Sequence, residues 1–160
     1  MDLILMSIKD VPGTSQVDGY TGQIELMSYS HGVAMQVTGD VSNTERTSGK
    51  SRHQDFHVTK YLDKSSPLLN QKLCQGTDLG QVTITVGRND SGAVIPLIIY
   101  TLSNTVLSSV SVGGGGGDKP VESVSLNYSS IKWDYTAQKE SGGKDGTVSG
   151  SWDVGANKTA

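Results

Sequence analysis

Cysteine is nearly absent from this chain: of 160 residues, only Cys74 carries a thiol. A single cysteine excludes an intramolecular disulfide framework and points to synthesis and folding in a reducing cytoplasm. Long hydrophobic runs are missing too. No stretch approaches the ~18 consecutive apolar residues of a membrane span. The first residues show no positive cluster, apolar segment and small-residue cleavage site, so no secretory signal is expected. Neither sign of charge dominates: 13 Lys and Arg face 16 Asp and Glu, a net −3. Without a basic cluster, nucleic acid is not an expected partner. The catalytic motifs are sparse as well. No G-x-S-x-G elbow occurs, and Cys74 has no histidine near it in sequence, so nucleophilic catalysis lacks support and a small buried apolar role is expected for Cys74.

Glycine, by contrast, is abundant, at 20 of 160, which favours turns and bulges over long helices. The length suits one domain over residues 1–160, able to bury roughly 68–70% of its unfolded surface without a metal or disulfide. Strand-like runs dominate. Leu3 to Ile8 is a short apolar run. Within Gln23 to Thr38 the apolar positions begin even, at Ile24 and Leu26, and become odd at Val33, Met35 and Val37. A strand alternates sides with period two, so the switch needs a bend, placed at Ser30-His31-Gly32. Residues 39–53 lack periodicity and predict a long loop. Gln81 to Arg88 alternates, with Val82, Ile84 and Val86 inward. Asn89 to Gly92 reads as a hairpin turn. Ala93 to Val112 reads as one very long strand, with Pro96 marking an edge or a bulge. Val121 to Tyr135 switches parity at Ser129-Ser130, and Thr147 to Val154 is a last strand.

Phe56 to Pro67 is the richest segment. Phe56, Val58 and Leu62 predict one buried face of a strand. Ser66 is expected to cap a helix, with Pro67 in its first turn. The helix runs from Pro67 to Gln75, with Leu69 and Leu73 one turn apart, and Gly76 ends it. Many strands, one helix and bent strands together predict a mainly β fold: a small antiparallel β-barrel with one flanking α-helix and a long extended loop. A flat sandwich is the alternative.

Several residues could carry chemistry. His53, Asp55 and His57 fall at i, i+2 and i+4, a plausible set for zinc or iron. Yet i and i+4 on a strand are about 13 Å apart, too far for one ion without a bend, so a solvated strand face is the competing account and no metal is expected. Gly113 to Gly117 lacks the spacing of a phosphate loop, because Lys119 precedes Pro120, and reads as a hairpin linker. Trp133, Tyr135 and Trp152 suit a sugar-stacking platform or, with fewer assumptions, core packing. Finally, two strand faces are small, polar and uncharged: Thr83 and Thr85, and Ser123, Ser125, Asn127 and Ser129. A solvated strand normally carries Lys and Glu. Such faces suit contact with another subunit, the wall of a water-filled channel, or a plain Ser/Thr-rich surface.

The segment Thr59-Lys60-Tyr61-Leu62-Asp63-Lys64-Ser65-Ser66-Pro67-Leu68 resembles that of Hcp, the haemolysin-coregulated protein family that forms the inner tube of type VI secretion systems. Leu102 to Ser111 followed by the glycine tract, and Val121 to Tyr128 followed by Ile131 and Tyr135, resemble the family's next strands in the same order. The resemblance covers nearly the whole chain. It implies a partly flattened barrel, six copies of which close into a ring. Rings stack inside a contractile sheath behind a spike protein and carry small effector proteins in the lumen. It implies secretion by the type VI route without a signal peptide, no membrane insertion, no enzyme activity and no cofactor. By the same resemblance, Ser30, with Tyr29 and His31, corresponds to a lumen-facing position. The loop Gly39 to Arg52, with Asp40, Glu45, Arg46 and Lys50, corresponds to a loop reaching toward a neighbouring ring or subunit. Thr59, Lys60, Tyr61, Asp63, Lys64, Ser66 and Pro67 form the family's structural signature. Two other readings stay open at this point: a monomeric ligand-binding module, for carbohydrate above all, and an enzyme using His53, Asp55 and His57. Ala160 lies a few residues past the last expected strand, so no appended catalytic domain is expected.

Overall fold

Four crossings of the chain between two antiparallel sheets organise the molecule. The computed structural model describes residues 2–37, 49–138 and 144–160. Most of the expected 39–53 loop, including Asp40, Glu45 and Arg46, lies outside the described residues, as do Gly142 and Gly143.

Twelve strands and one helix follow in order: β1 (Asp2–Ile8), β2 (Ile24–Glu25), β3 (Ser28–Ser30), β4 (Val33–Ala34), β5 (Arg52–His53), β6 (Phe56–Tyr61), α1 (Ser66–Gln75), β7 (Val82–Asp90), β8 (Ala93–Ser103), β9 (Val106–Gly113), β10 (Val121–Asn127), β11 (Ser130–Gln138) and β12 (Lys144–Asp153). A six-stranded sheet runs β12-β11-β8-β7-β1-β2, a four-stranded sheet runs β3-β6-β10-β9, and β4 pairs with β5 alone. The fold is mainly β with one helix, as expected, but the sheets do not close on themselves. The core lies between them: Met6, Ile84, Leu102 and Ile131 from one meet Phe56, Val58, Val124 and Leu126 from the other.

Each parity switch in the sequence coincides with a break. The Val121–Tyr135 run splits at Tyr128-Ser129, where the chain leaves the four-stranded sheet for the six-stranded one. Within Gln23–Thr38 the run breaks twice. At Leu26-Met27 the chain crosses sheets: the Leu26 amide donates to Ile4 and the Met27 amide to Thr59. At His31-Gly32, β3 gives way to β4.

The expected single strand from Ala93 to Val112 is instead two. Asn104, at φ 49°, takes the left-handed conformation that a short amide side chain tolerates, and this turns the chain between sheets. The two corners are stitched together: the Ser129 amide donates to the Ser103 carbonyl at 3.0 Å, and Asn104 Nδ2 to Ser129 Oγ at 3.0 Å. Pro96 sits opposite Gly87 at a register shift in a central strand, where a bulge accommodates its missing donor. Ser91 and Gly92, with φ 52° and 86°, form the two-residue β7–β8 turn with both residues at positive φ, the choice that matches strand twist.

The Phe56–Pro67 segment departs from its expected reading in an informative way. β6 ends at Tyr61, and Leu62 is 48% exposed. The third inward position after Phe56 and Val58 is Lys60, 0% exposed. Its cross-strand neighbour Glu122 shares parity with Val124 and Leu126 and is 1% exposed. The two form an ion pair at 2.9 Å. Lys60 Nζ also contacts Asp63 Oδ1 at 3.1 Å, donates to Ser66 Oγ at 3.1 Å and donates to the Tyr61 carbonyl at 3.0 Å.

Ser65, not Ser66, precedes the helix, and it makes no side-chain cap bond to the helix amides. Its amide and hydroxyl both donate to Asp63. Ser66 Oγ accepts from the Asp63 amide at 3.1 Å. Pro67 lies in the first turn, and Gly76 ends the helix in the left-handed conformation, its amide bonded to the Leu73 carbonyl.

This network predicts a specific stability pattern. Lys60→Ala leaves the Glu122 carboxylate buried and unpaired, and urea denaturation should show a loss of about 3–5 kcal/mol. The apolar pair Lys60→Met with Glu122→Leu should recover most of that loss in the same measurement.

Candidate functional site

The outer face of the four-stranded sheet is built from residues whose neighbours on the chain fill the core. Period two forces this: Phe56, Val58 and Lys60 turn in, so His57 and Thr59 turn out. Strand register then assembles rows across all four strands. One row is Ser28, Thr59, Ser123 and Ser111, and the next is Ser30, His57, Ser125 and Ser109. None of these eight positions bears a carboxylate, ammonium or guanidinium. The hydroxyls bond along the rows. Ser28 Oγ and Thr59 Oγ1 lie 2.5 Å apart, and His57 Nδ1 lies 2.7 Å from Ser125 Oγ. Asp55, at the margin, accepts from Ser108 Oγ at 2.7 Å and Asn127 Nδ2 at 3.0 Å.

The structure sorts the other candidate residues. Ser30 is exposed on this face, whereas Tyr29 and His31 are half-buried in an aromatic cluster. Tyr29 stacks on Phe56 with ring centroids 6.0 Å apart and meets Tyr100 at 5.5 Å. Burial, with the Tyr29 hydroxyl bonded to it, pushes the Tyr100 phenol up to about 12. Thr83 is half-buried, but Thr85 is 4% exposed, between Leu5 and Ile99, so that pair forms no open polar face. Ser129 is tied into the corner described above. Cys74 is exposed rather than buried, because it lies on the helix face away from Leu69. Trp133 packs against the core as expected, but Tyr135 is 47% exposed. Lys50 is exposed.

His53, Asp55 and His57 do not come together. His53 contacts Ser51 and Tyr128, Asp55 binds Ser108 and Asn127, and His57 binds Ser125. Among the described residues no three His, Cys, Asp or Glu side chains converge as a metal site.

Sequence reasoning missed one constellation. Tyr128 Oη donates to the Gln54 carbonyl at 3.2 Å and lies 3.4 Å from His31 Nδ1 and 3.5 Å from His53 Nδ1. Burial raises the Tyr128 phenol well above its ordinary value, and Asp55 adds to this. Burial lowers both imidazoles, and His31 is lowered further by His53, against a bond to the Gln54 backbone. Tyr128 shares parity with Val124 and Leu126, a signal that places it inward, but pairing with residues 75 and 97 positions away cannot be read from parity.

A mainly β body of two packed sheets with one helix beside β9 is a recurrent architecture. Solved structures share it. One described as a type six secretion system protein superposes with a TM-score of 0.92 over 100% of both chains, at 22% identity. Hcp1 from Salmonella typhimurium gives 0.81 over 99% of both, at 22% identity. A type VI secretion system effector from Yersinia pestis gives 0.76 over 94% of this chain and 99% of its own, at 19% identity. Residues 5–135 match the family described as "Type VI secretion system effector, Hcp". Protein hcp1 of Pseudomonas aeruginosa is 32% identical over 159 residues, 98% of each chain. The chain therefore belongs to the Hcp family of type VI secretion proteins. No helix among the described residues is long and apolar enough to cross a membrane.

Tyr128→Phe removes the donor to the Gln54 carbonyl while keeping the ring. Denaturation should show a loss of about 1–2 kcal/mol, with β6, β10 and the ring packing otherwise retained.

Proposed function

We propose that this chain is a structural tube subunit rather than a catalyst: six copies close into a ring, rings stack inside a contractile sheath behind a spike, and the lumen carries small effectors. The observation that carries the reading is the registered hydroxyl face of the four-stranded sheet. A wall of serines, a threonine and one histidine can hold varied protein segments by many weak hydrogen bonds without selecting them by charge. Ser30 sits at the edge of this face and is the residue to which effector contact is assigned, with Tyr29 and His31 supporting it from beneath. Ring closure needs a heterologous contact whose rotation closes after six copies. The segment with Asp40, Glu45, Arg46 and Lys50 is assigned to contact between rings or subunits. Secretion by the type VI route without a signal peptide completes the assignment. A glycan-binding module is not favoured.

Light scattering and negative-stain imaging of the purified protein test the ring. A mass near six times 16.9 kDa with ring-shaped particles is expected, and a stable monomer at high concentration would overturn the assignment. Ser30→Gln should weaken effector retention while rings persist; unchanged retention removes Ser30 from the contact. Because the face lacks formal charge, effector retention should change little between about 0.05 and 0.5 M salt, a range that strongly screens ion pairs.

A further inference from the structure

Among the described residues the β4–β5 pair forms no ladder with either sheet, so what ties it down can be traced atom by atom. The Gln54 amide donates to the Gly32 carbonyl at 2.9 Å. Among the described residues, the side-chain hydrogen bonds that reach the pair from the body run through Tyr128: its hydroxyl donates to Gln54, and the imidazoles of His31, just before β4, and His53, in β5, approach it from two sides. Both rings also pack. His31 stacks over Phe56 at 5.4 Å and meets Tyr128, Trp133 and Tyr100 at 5.8, 6.2 and 6.3 Å. His53 meets Tyr128 edge-on at 6.1 Å.

We infer that His31, His53 and Tyr128 form an acid-sensitive latch that holds the β4–β5 arm to the body and releases it as both imidazoles take up protons. The hydroxyl has one proton, given to Gln54, and two lone pairs, so it can accept one N–H from each neutral imidazole. A protonated His31 must carry a second N–H on Nε2. That atom is buried and has no hydrogen-bond partner among the described residues. An N–H stranded there costs desolvation without compensation, beside a second imidazolium across the same hydroxyl.

The surrounding ionisable groups offer little relief. From β3 comes Tyr29, from β8 Tyr100 and from the β10–β11 corner Tyr128, all neutral phenols. From β5 come Arg52, exposed on the opposite side of its strand, and His53. Next to β6, Asp55 is the one carboxylate nearby among the described residues, and it is taken up by Ser108 and Asn127; His57 faces outward to Ser125. The sign follows from the lowered imidazoles. Their packing is fully available above about pH 6.5, where an unfolded chain is also neutral. It is lost as pH falls through their folded values.

Hydrogen exchange followed by mass spectrometry on the intact chain tests this. Peptides within residues 29–37 and 49–56 should lose at least about tenfold protection between pH 7.5 and 5, corrected for intrinsic rates, the equivalent of one unit of imidazole shift. Peptides covering β7 should keep theirs. The paired variant His31→Gln with His53→Gln should abolish the difference. If that variant does not fold, NMR titration of the wild-type His31 ring replaces it, and its midpoint should coincide with the loss of protection. Unchanged protection in the wild type, a loss shared equally with β7, an acid response kept by the paired variant, or a separate midpoint would each overturn the latch. The inference goes beyond the ring assignment and does not depend on it: the exchange is read on monomer or ring alike, and the mass of the same sample reports the assembly separately.

Discussion

A buried ammonium holds this structure in register. Lys60 occupies the last inward rung of β6, a position that pattern alone would give to an apolar residue. An unpaired charge there would cost several kcal/mol, so the surroundings must supply Glu122 from β10, Asp63 and Ser66 from the turn, and the Tyr61 carbonyl. Those demands fix three things together: the pairing of β6 with β10, the exit angle of the chain after Tyr61, and the start of α1. The family's recognisable segment is therefore a record of one electrostatic requirement. Its polarity describes packing at the edge of the core, and only Thr59 of its residues also belongs to the hydroxyl face that carries the proposed function.

That hydroxyl face depends on the same register. A slip of one residue between β6 and β10 would turn His57 and Thr59 inward and lift Phe56 and Val58 into water. The ion pair penalises such a slip more sharply than aliphatic contacts would, since Lys60 and Glu122 would lose each other. Core packing and surface chemistry are two sides of one alignment.

Much of this was legible in the chain. The helix with its Pro67 start and Gly76 stop, the Ser91-Gly92 turn, the bulge at Pro96 and the break near Ser129 all follow from local rules. So does the uncharged Ser123-Ser125-Asn127 face. What failed did so for nameable reasons. Leu62 breaks the expected inward pattern because the strand ends one residue before it, where period two no longer applies. The burial of Lys60 is illegible locally because charge argues against burial until its partners are known, and Glu122 lies 62 positions away. The long run through Ser103-Asn104-Thr105 concealed a corner, because asparagine can reach the left-handed region without the glycine that usually announces it. Thr85 alternates correctly, yet its face of the central sheet is covered. The His31–Tyr128–His53 junction needs three distant segments to meet, which no periodicity encodes.

The open sheets have a consequence for the life of a free subunit. An unclosed β body exposes strand edges that invite indiscriminate pairing with other chains. Here β2 has two residues and β3 has three, too few to template a partner. Beside β9 lies α1, and beyond it run five glycines whose freedom opposes ordering into a longer strand. After β12 the chain folds back, Asp153 and Lys158 exchanging backbone bonds. Indiscriminate pairing is thus limited at β2, β3, β9 and the end of β12, and a partner is admitted there only if its shape matches.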